Sequence, residues 1–143
     1  MSSPRISLME AYLIETLRRN DVTNEDIMAQ IESGDITAWS KSLPKFDFTE
    51  LVKLANKDLE QFKKVLSEGY EVKFVTFNGL KNLLRLRFGF EEEKDYELKG
   101  KGIHQLVLEP KQLTSVKQML SKNWKVEEIE QQGDKVMVNI DLV

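Results

Sequence analysis

The N-terminal half of the chain spaces its apolar residues three or four positions apart, which is the period of an amphipathic helix. The first such run predicts a helix that ends near Asn20-Asp21 and has an apolar face of Ile6, Met9, Tyr12, Leu13 and Leu17. A second helix is predicted to begin after Thr23, a residue type that favours the N-cap position, and to stop at Gly34. Its apolar face comprises Ile27, Met28 and Ile31.

The longest helix is predicted between Asp47 and Gly69, after a short turn that contains Trp39 and a break at Pro44. Asp47 is suited to the N-cap position, and Glu50 stands where the acidic residue of a capping box is found. One apolar stripe runs down the segment through Val52, Ala55, Leu59, Phe62 and Leu66. This stripe predicts a single uninterrupted helix that packs on the core.

Residues 70–90 begin with a strand pattern and then allow two structures. The strand-like alternation comprises Tyr70, Val72 and Phe74. After it, Asn78-Gly79 is typical of a hairpin turn, whereas Thr76 is a suitable N-cap for a helix that runs through Leu86. Gly89 is a natural stop for that helix, so the helix is the favoured prediction.

The last third of the chain has strand patterns on both sides of one more helix. Residues 95–109 are predicted to be extended, with a bulge or bend at Gly100 and Gly102. Pro110 has the residue type found at the first position of helices, and the predicted helix has an apolar face of Leu113, Val116 and Leu120. A hairpin around Gly133-Asp134 follows. Its last strand is predicted to face the core with Val136, Val138, Ile140 and Leu142.

These elements predict an α+β fold in which a helical N-terminal part packs on a small mixed sheet of about four strands crossed by two helices. The crossing helices are expected near residues 77–86 and 110–122, on one face of the sheet. With 143 residues, 41% of them hydrophobic and 31% charged, the chain is expected to form a single domain over residues 1–143. Its helical subregion is predicted over residues 5–69 and its α+β portion over residues 70–143.

The composition excludes several kinds of chemistry. The chain has no cysteine, which excludes a disulfide framework, a thiolate nucleophile and a cysteine-based zinc site. The single histidine, His104, has no orienting partner evident in the sequence, so we interpret it as structural. The carboxylates of residues 91–95 lack the ligand spacing of a calcium loop and are expected to form a solvated turn. We therefore expect no metal and no cofactor.

The sequence also bears on location. Residues 1–5 do not begin the apolar run of a signal peptide, and no apolar run reaches the roughly 20 residues that a bilayer span requires. The predicted location is the cytoplasm, without membrane association.

One sharp charge step occurs, between residues 70–90 and the acidic residues 91–95. The whole chain has a formal net charge of -3, yet residues 70–90 hold four basic side chains and one acidic side chain. The cations Lys73, Lys81, Arg85 and Arg87 are therefore candidate binding residues for phosphates or for an acidic partner protein. The competing interpretation is structural: the arginine stems cover the edge of the core while their charges face water or pair with residues 91–93.

No nucleotide-binding loop or nucleophile turn has its full pattern in this chain. The leading hypothesis is a small intracellular, non-enzymatic interaction or regulatory protein that binds another protein. The first alternative is a nucleic-acid-binding module that uses the local basic patch, which the acidic net charge disfavours. The second alternative is an enzyme of unknown chemistry, which would require a pocket that contains His104 and carboxylates.

Overall fold

Helices fill the first half of the molecule, whose computed structural model describes residues 3–143. Met1 and Ser2, which belong to the segment predicted to lack a signal peptide, lie outside the described residues. The elements of the first half are β1 (Arg5–Ile6), α1 (Leu8–Arg19), α2 (Asn24–Ser33), α3 (Thr37–Ser42), α4 (Thr49–Lys57) and α5 (Leu59–Glu68). Those of the second half are β2 (Glu71–Val72), α6 (Phe77–Phe88), β3 (Glu97–Lys99), β4 (Gly102–Leu108), α7 (Pro110–Met119), β5 (Trp124–Gln132) and β6 (Lys135–Leu142).

The strands form two separate sheets. Four of them lie side by side in the order β3-β4-β6-β5 as an antiparallel sheet, while β1 and β2 form a short parallel pair. The prediction of an α+β fold with a helical N-terminal part is confirmed. Among the strands of residues 3–143, only β1 and β2 pair in parallel, and Arg5 Nε lies 2.8 Å from Glu71 Oε2 across this pair.

A capping box sets the start of α1 later than predicted. Ser7 Oγ accepts a hydrogen bond from the Glu10 N–H at 3.1 Å, and Glu10 Oε1 accepts one from the Ser7 N–H at 2.7 Å. Ile6 therefore lies in β1 and not on the helix, and Met9, predicted on the apolar face, is 57% exposed. The predicted end of α1 near Asn20 is confirmed. The second predicted helix is also confirmed: it is α2, which has Thr23 as its N-cap and ends at Gly34.

The prediction of one long helix was wrong, because the segment forms two helices, α4 and α5, that meet at Asp58. Asp58 has an extended backbone, and its Oδ1 accepts a hydrogen bond from the Gln61 N–H at 3.1 Å. It is thus an N-cap in the middle of the apolar stripe. Leu59, at the first position of α5, is 38% exposed and not buried as the stripe implied. Phe62 and Leu66 are buried as predicted.

The start of α4 also differs from the prediction. Asp47 Oδ1 accepts a hydrogen bond from the Thr49 N–H at 3.1 Å, so Asp47 closes a turn just before the helix and does not cap it. Phe48 is buried between these residues and packs on Trp39 with ring centroids 5.7 Å apart. Trp39, predicted in a turn, belongs to the short helix α3.

α6 resolves the ambiguity of residues 77–90 in favour of the helix. Thr76 Oγ1 accepts a hydrogen bond from the Gly79 N–H at 3.0 Å, which caps the N-terminus. Gly89 ends the helix with a φ of +77°, a left-handed conformation that glycine adopts at little cost. The strand predicted before α6 is shorter than expected, since β2 has two residues and Phe74 is 61% exposed.

The C-terminal hairpin of β5 and β6 and the helix that starts at Pro110 are confirmed. The inward-facing residues of β6 are buried except for Leu142, which was predicted to be buried and is instead 45% exposed at the strand end. Of residues 91–95, which were predicted to form a solvated turn, residues 91–94 are exposed, whereas Asp95 is partly buried and its Oδ2 accepts a hydrogen bond from the Glu91 N–H at 2.8 Å.

The four-stranded sheet packs one face on the core. Buried and partly exposed residues alternate along β6, which is the pattern of a sheet with one solvated face. We call the second face the open sheet face; its polar residues include Glu97, His104, Lys125, Asn139 and Asp141. The buried apolar cluster draws residues from both halves of the described chain.

Candidate functional site

Two clefts lie where α1 packs against α6, and together they form what we call the α1–α6 seam. The arginine cleft has a volume of about 380 Å³ and is lined by Glu15, Arg18, Arg19, Asp21, Leu86, Arg87 and Phe88. The aromatic cleft has a volume of about 240 Å³ and is lined by Tyr12, Thr16, Phe46, Asn82, Arg85 and Leu86. Leu86 lines both clefts, so they are neighbours on the seam.

A buried carboxylate belongs to the wall of the arginine cleft. Glu15 is only 1% exposed, because α1 is surrounded by the core and Glu15 stands among its buried residues. Its Oε2 accepts a hydrogen bond from the Tyr70 hydroxyl at 2.6 Å and one from Arg18 Nη1 at 3.0 Å. Burial, and then the negative charge of Glu15, raises the pKa of Tyr70 well above its usual range. Tyr70 therefore keeps its proton and remains a donor to the carboxylate.

Arg18 holds this arrangement in place. Its Nε donates to Asn24 Oδ1 and its Nη2 donates to the Leu66 carbonyl, each at 3.0 Å, in addition to the bond to Glu15. These bonds connect α1 with α2 and α5. Arg18 consequently has each of its three guanidinium nitrogens occupied and serves as a structural tie.

Arg87 approaches the same carboxylate from α6. Its Nε lies 4.0 Å from Glu15 Oε2, and its guanidinium lies 5.3 Å from the Tyr70 ring centroid and 5.7 Å from that of Phe88. Arg87 Nη1 is buried and has no hydrogen-bond acceptor among residues 3–143. A buried donor without an acceptor is costly, and the accessible part of the Arg87 side chain, 15% of its surface, lines the arginine cleft.

Arg19 stands exposed at the rim of the arginine cleft and makes no ion pair or side-chain hydrogen bond with any described residue. Its guanidinium lies over Gly89, where a Cβ atom would stand 3.0 Å from Arg19 Nη2. Gly89 thus ends α6 and also leaves room for the arginine. Asp21, with a φ of +65°, brings a second carboxylate to the cleft. Three arginines and two carboxylates leave the lining with a formal charge of +1.

The aromatic cleft has a mixed lining. Asn82 Nδ2 donates to the Tyr12 hydroxyl at 3.3 Å, and Thr16 Oγ1 is buried with no partner within residues 3–143. The Phe46 ring is partly exposed, and Arg85 is exposed with no acidic partner in the described chain. The cleft therefore combines an apolar ring, neutral polar groups and one unpaired cation.

The four predicted binding residues are distributed over different parts of the surface. Lys81 Nζ lies 3.6 Å from Glu92 Oε1 and 5.0 Å from the Phe77 ring centroid, so it is paired beside the acidic turn. Lys73 is exposed after β2 and lines neither cleft. Arg85 and Arg87 lie on different sides of α6, because two residues advance a helix by about 200°. Arg87 lines the arginine cleft, and Arg85 lines the aromatic cleft.

Glu15, Arg18, Arg19 and Tyr70 were missing from the predicted set of binding residues. The sequence did carry one signal for them: Glu15 follows Ile14 and stands four residues after Ala11, which places a carboxylate on the buried arc of α1. A buried carboxylate needs a donor or a cation. Which residues supply it depends on how α6 and Tyr70 pack, and periodicity does not encode that.

The histidine lies on the open sheet face and lines neither cleft of the seam. His104 Nε2 is 2.9 Å from Asp141 Oδ1 and 3.1 Å from Asp141 Oδ2. Gly102 permits this contact, because a Cβ atom there would collide with Asp141 Oδ1. In the part of the chain from residue 3 onward, no three metal-ligating side chains cluster to hold an ion. Within the same residues no helix combines the length and apolar character needed to cross a membrane.

Comparisons of this chain with protein-family models, with curated proteins and with solved structures find no match. The geometry of the seam is therefore the basis for any functional proposal.

Proposed function

We propose that this protein is a non-enzymatic interaction protein whose α1–α6 seam binds an acidic segment of a partner protein. The observation that carries the proposal is the surplus of arginine donors on the seam. Arg19 and Arg85 are exposed and unpaired within residues 3–143, and Arg87 Nη1 is buried without an acceptor. A guanidinium fork matches a carboxylate in shape and charge, so these donors suit acidic side chains.

The distribution of charge supports docking at this place. The whole chain carries a formal charge of -3, so most of its surface repels an acidic partner. Neighbouring cations are already neutralised, Lys81 by Glu92 and Arg18 by Glu15. The unpaired arginines of the two clefts are thus where an acidic segment is attracted, and they fix its position on the seam.

The aromatic cleft supports an apolar anchor within the same segment. Tyr12 and the partly exposed Phe46 offer ring surface next to the unpaired Arg85. An apolar side chain that enters this cleft would bury area, while an acid beside it pairs with the arginine. Such a buried anchor within a polar rim is how most protein interfaces obtain their affinity.

A single-stranded nucleic acid is the second candidate, and one observation favours it. Phe46, Tyr12 and Arg85 stand together, as do the aromatic and basic residues that stack bases and contact phosphates. The acidic net charge of the chain disfavours a nucleic-acid backbone along the seam, because such a backbone brings a long series of negative charges to an acidic surface.

The test compares the full chain with two double variants that lose the same charge. R19Q/R85Q removes both exposed arginines of the seam, and K57Q/K64Q removes two exposed lysines of α4 and α5 as a matched control. Fluorescence anisotropy measures binding of a glutamate-rich peptide with one phenylalanine, and of a single-stranded oligonucleotide, across a salt series. We expect R19Q/R85Q to weaken peptide binding at least about tenfold and to flatten its salt dependence, with the control within about twofold of the parent.

Two results would contradict the proposal. The first is an equal loss of peptide affinity in both double variants, which would mean that the attraction is not localised to the seam. The second is tighter binding of the oligonucleotide than of the peptide at physiological salt, which would favour the nucleic-acid candidate.

A further inference from the structure

The unused donors of the arginine cleft come from two helices and converge on one space. Arg19, at the end of α1, has no partner for its guanidinium within residues 3–143, and Arg87, near the end of α6, has a buried Nη1 without an acceptor. The Arg87 side chain keeps 15% of its surface accessible and lines the cleft together with Arg19. A ligand that binds both residues therefore sits between the helices and not on the outer surface.

The ordinary structural roles of these arginines are filled by other groups. Arginines in the last turn of a helix often hydrogen-bond its free carbonyls. In α1 those carbonyls already accept bonds from the backbone N–H groups of Asn20, Asp21 and Val22. In α6 the Arg85 and Leu84 carbonyls accept bonds from the N–H groups of Gly89 and Phe90. These carbonyls thus have backbone partners, and the guanidinium of Arg19 has no hydrogen-bond acceptor within residues 3–143.

Of the two carboxylates that line the cleft, Glu15 is already bound by other residues. Glu15 Oε2 is held by Tyr70 and Arg18, while Arg87 Nε stays 4.0 Å away. Glu15 consequently orients Arg87 from within the wall without using its Nη1. The cleft retains a formal charge of +1 and a volume of about 380 Å³.

We infer that the arginine cleft binds a phosphate monoester, held between Arg19 and Arg87. The inference deepens the proposed function and rests on it, since it names the group that the acidic partner would place in this cleft. One guanidinium fork satisfies the two oxygens of a carboxylate, whereas a phosphate monoester has three terminal oxygens and a charge of about -1.5 to -2 near neutral pH. Its third oxygen and its larger charge favour a phosphate monoester over a carboxylate between donors from two helices.

The test titrates the full chain, nitrogen-15 labelled, with sodium phosphate at about pH 7.5, where the dianion predominates. Chloride keeps the ionic strength constant, and sodium acetate is the carboxylate comparison. We expect saturable shifts of the Arg19 and Arg87 side-chain Nε–Hε signals with phosphate and much weaker ones with acetate. R19Q should weaken phosphate binding about tenfold, while K64Q, which removes the same charge from an exposed position of α5 outside both clefts, should stay within about twofold.

R87K provides a second variant, because it keeps the positive charge and most of the aliphatic stem but removes the guanidinium group. It should also weaken phosphate binding about tenfold, with its backbone spectrum confirming that it folds. A peptide with one phosphoserine, compared with its unphosphorylated form, distinguishes the sources of the ligand. Tighter binding of the phosphopeptide than of inorganic phosphate assigns the ligand to a phosphorylated partner, and equal binding assigns it to a small free phosphate.

The inference is overturned if phosphate and acetate give equal responses, or if R19Q and K64Q weaken phosphate binding equally. In that case the proposed function still stands if the unphosphorylated acidic peptide binds the seam. If phosphate binds as expected but acidic peptides do not, the proposed function fails while the phosphate site remains.

Discussion

The α1–α6 seam and the open sheet face both carry acid–base contacts, but the contacts are buried in the first and accessible to water in the second. Glu15, with Tyr70 and Arg18, is enclosed by the core, whereas His104 and Asp141 keep 21% and 33% of their side-chain surfaces exposed. On the sheet the two groups satisfy each other. In the arginine cleft of the seam, two carboxylates lie among three arginines, so the arginine donors outnumber the acceptors. A surplus of this kind, in a partly enclosed cleft, distinguishes a candidate binding site from a solvated pair.

The largest loss of stability is expected when Glu15, the buried carboxylate of the seam, is replaced. Glu15→Gln keeps the shape of the side chain but leaves Arg18 and Arg87 without a buried counter-charge, which should destabilise the fold by about 3–5 kcal/mol. Urea unfolding measures this loss. A loss under about 1 kcal/mol would show that the arginines do not depend on Glu15.

The next effect is expected at the hydroxyl of Tyr70. Tyr70→Phe removes the donor at 2.6 Å from Glu15 and should cost about 1–3 kcal/mol near neutral pH. Circular dichroism during urea unfolding gives the value. A change within about 0.5 kcal/mol would mean that water replaces the hydroxyl without cost.

The same variant has a signature at alkaline pH. The folded protein raises the pKa of Tyr70 above the usual value of 10.0, so the unfolded chain loses that proton first. Stability is therefore complete below about pH 10 and falls as pH rises above it; Tyr70→Phe should flatten that fall. In Tyr70→Phe a weaker dependence of stability on alkaline pH should remain. It comes from Tyr96, whose pKa is raised by burial and then by the charges of Glu92 and Asp95. Parallel alkaline curves for the parent and Tyr70→Phe would contradict the account.

Substitutions of two arginines of α6 should differ in their effect on stability, because one arginine is packed in the structure and the other is exposed. Arg87→Ala removes a guanidinium packed on Tyr70 and Phe88 and should cost about 1–3 kcal/mol in urea unfolding. Arg85→Ala removes an exposed, unpaired cation and should change stability by no more than about 0.5 kcal/mol. Equal losses would mean that the two clefts do not differ as described.

A small effect is also expected on the open sheet face. Asp141→Asn breaks the contact with His104 in a solvent-accessible setting, so it should cost less than about 1 kcal/mol. Thermal unfolding of this variant beside Glu15→Gln compares the two regions directly. A loss as large as that of Glu15→Gln would show that solvent access does not set the difference.

Local signals in the sequence were enough to predict most of the elements. Thr76 and Gly89 bound α6, Thr23 and Gly34 bound α2, and Gly133-Asp134 turns the last hairpin. Each of these signals acts within a few residues. The N-cap at Asp58 is an equally local signal. The prediction missed it because the apolar stripe continues across Asp58 and outweighed a single capping residue.

The candidate site was less predictable because its contacts are not local. Arg85 and Arg87 stood out by charge alone, but their placement in two different clefts follows from the rotation of α6 against α1. Tyr70 was predicted to be a strand residue, and its hydroxyl instead reaches Glu15, which is 55 positions earlier in the chain. Lys73 and Lys81 have the same charge as the seam arginines and lie outside both clefts.

The most direct test of the central claim is to map where an acidic peptide binds the folded protein. A glutamate-rich peptide with one phenylalanine is titrated into the nitrogen-15 labelled chain, and the backbone amide shifts are followed. The account predicts saturable shifts concentrated in the C-terminal halves of α1 and α6 and around Phe46. Shifts concentrated on β4 and β6 of the open sheet face, or small shifts spread evenly over the molecule, would contradict it.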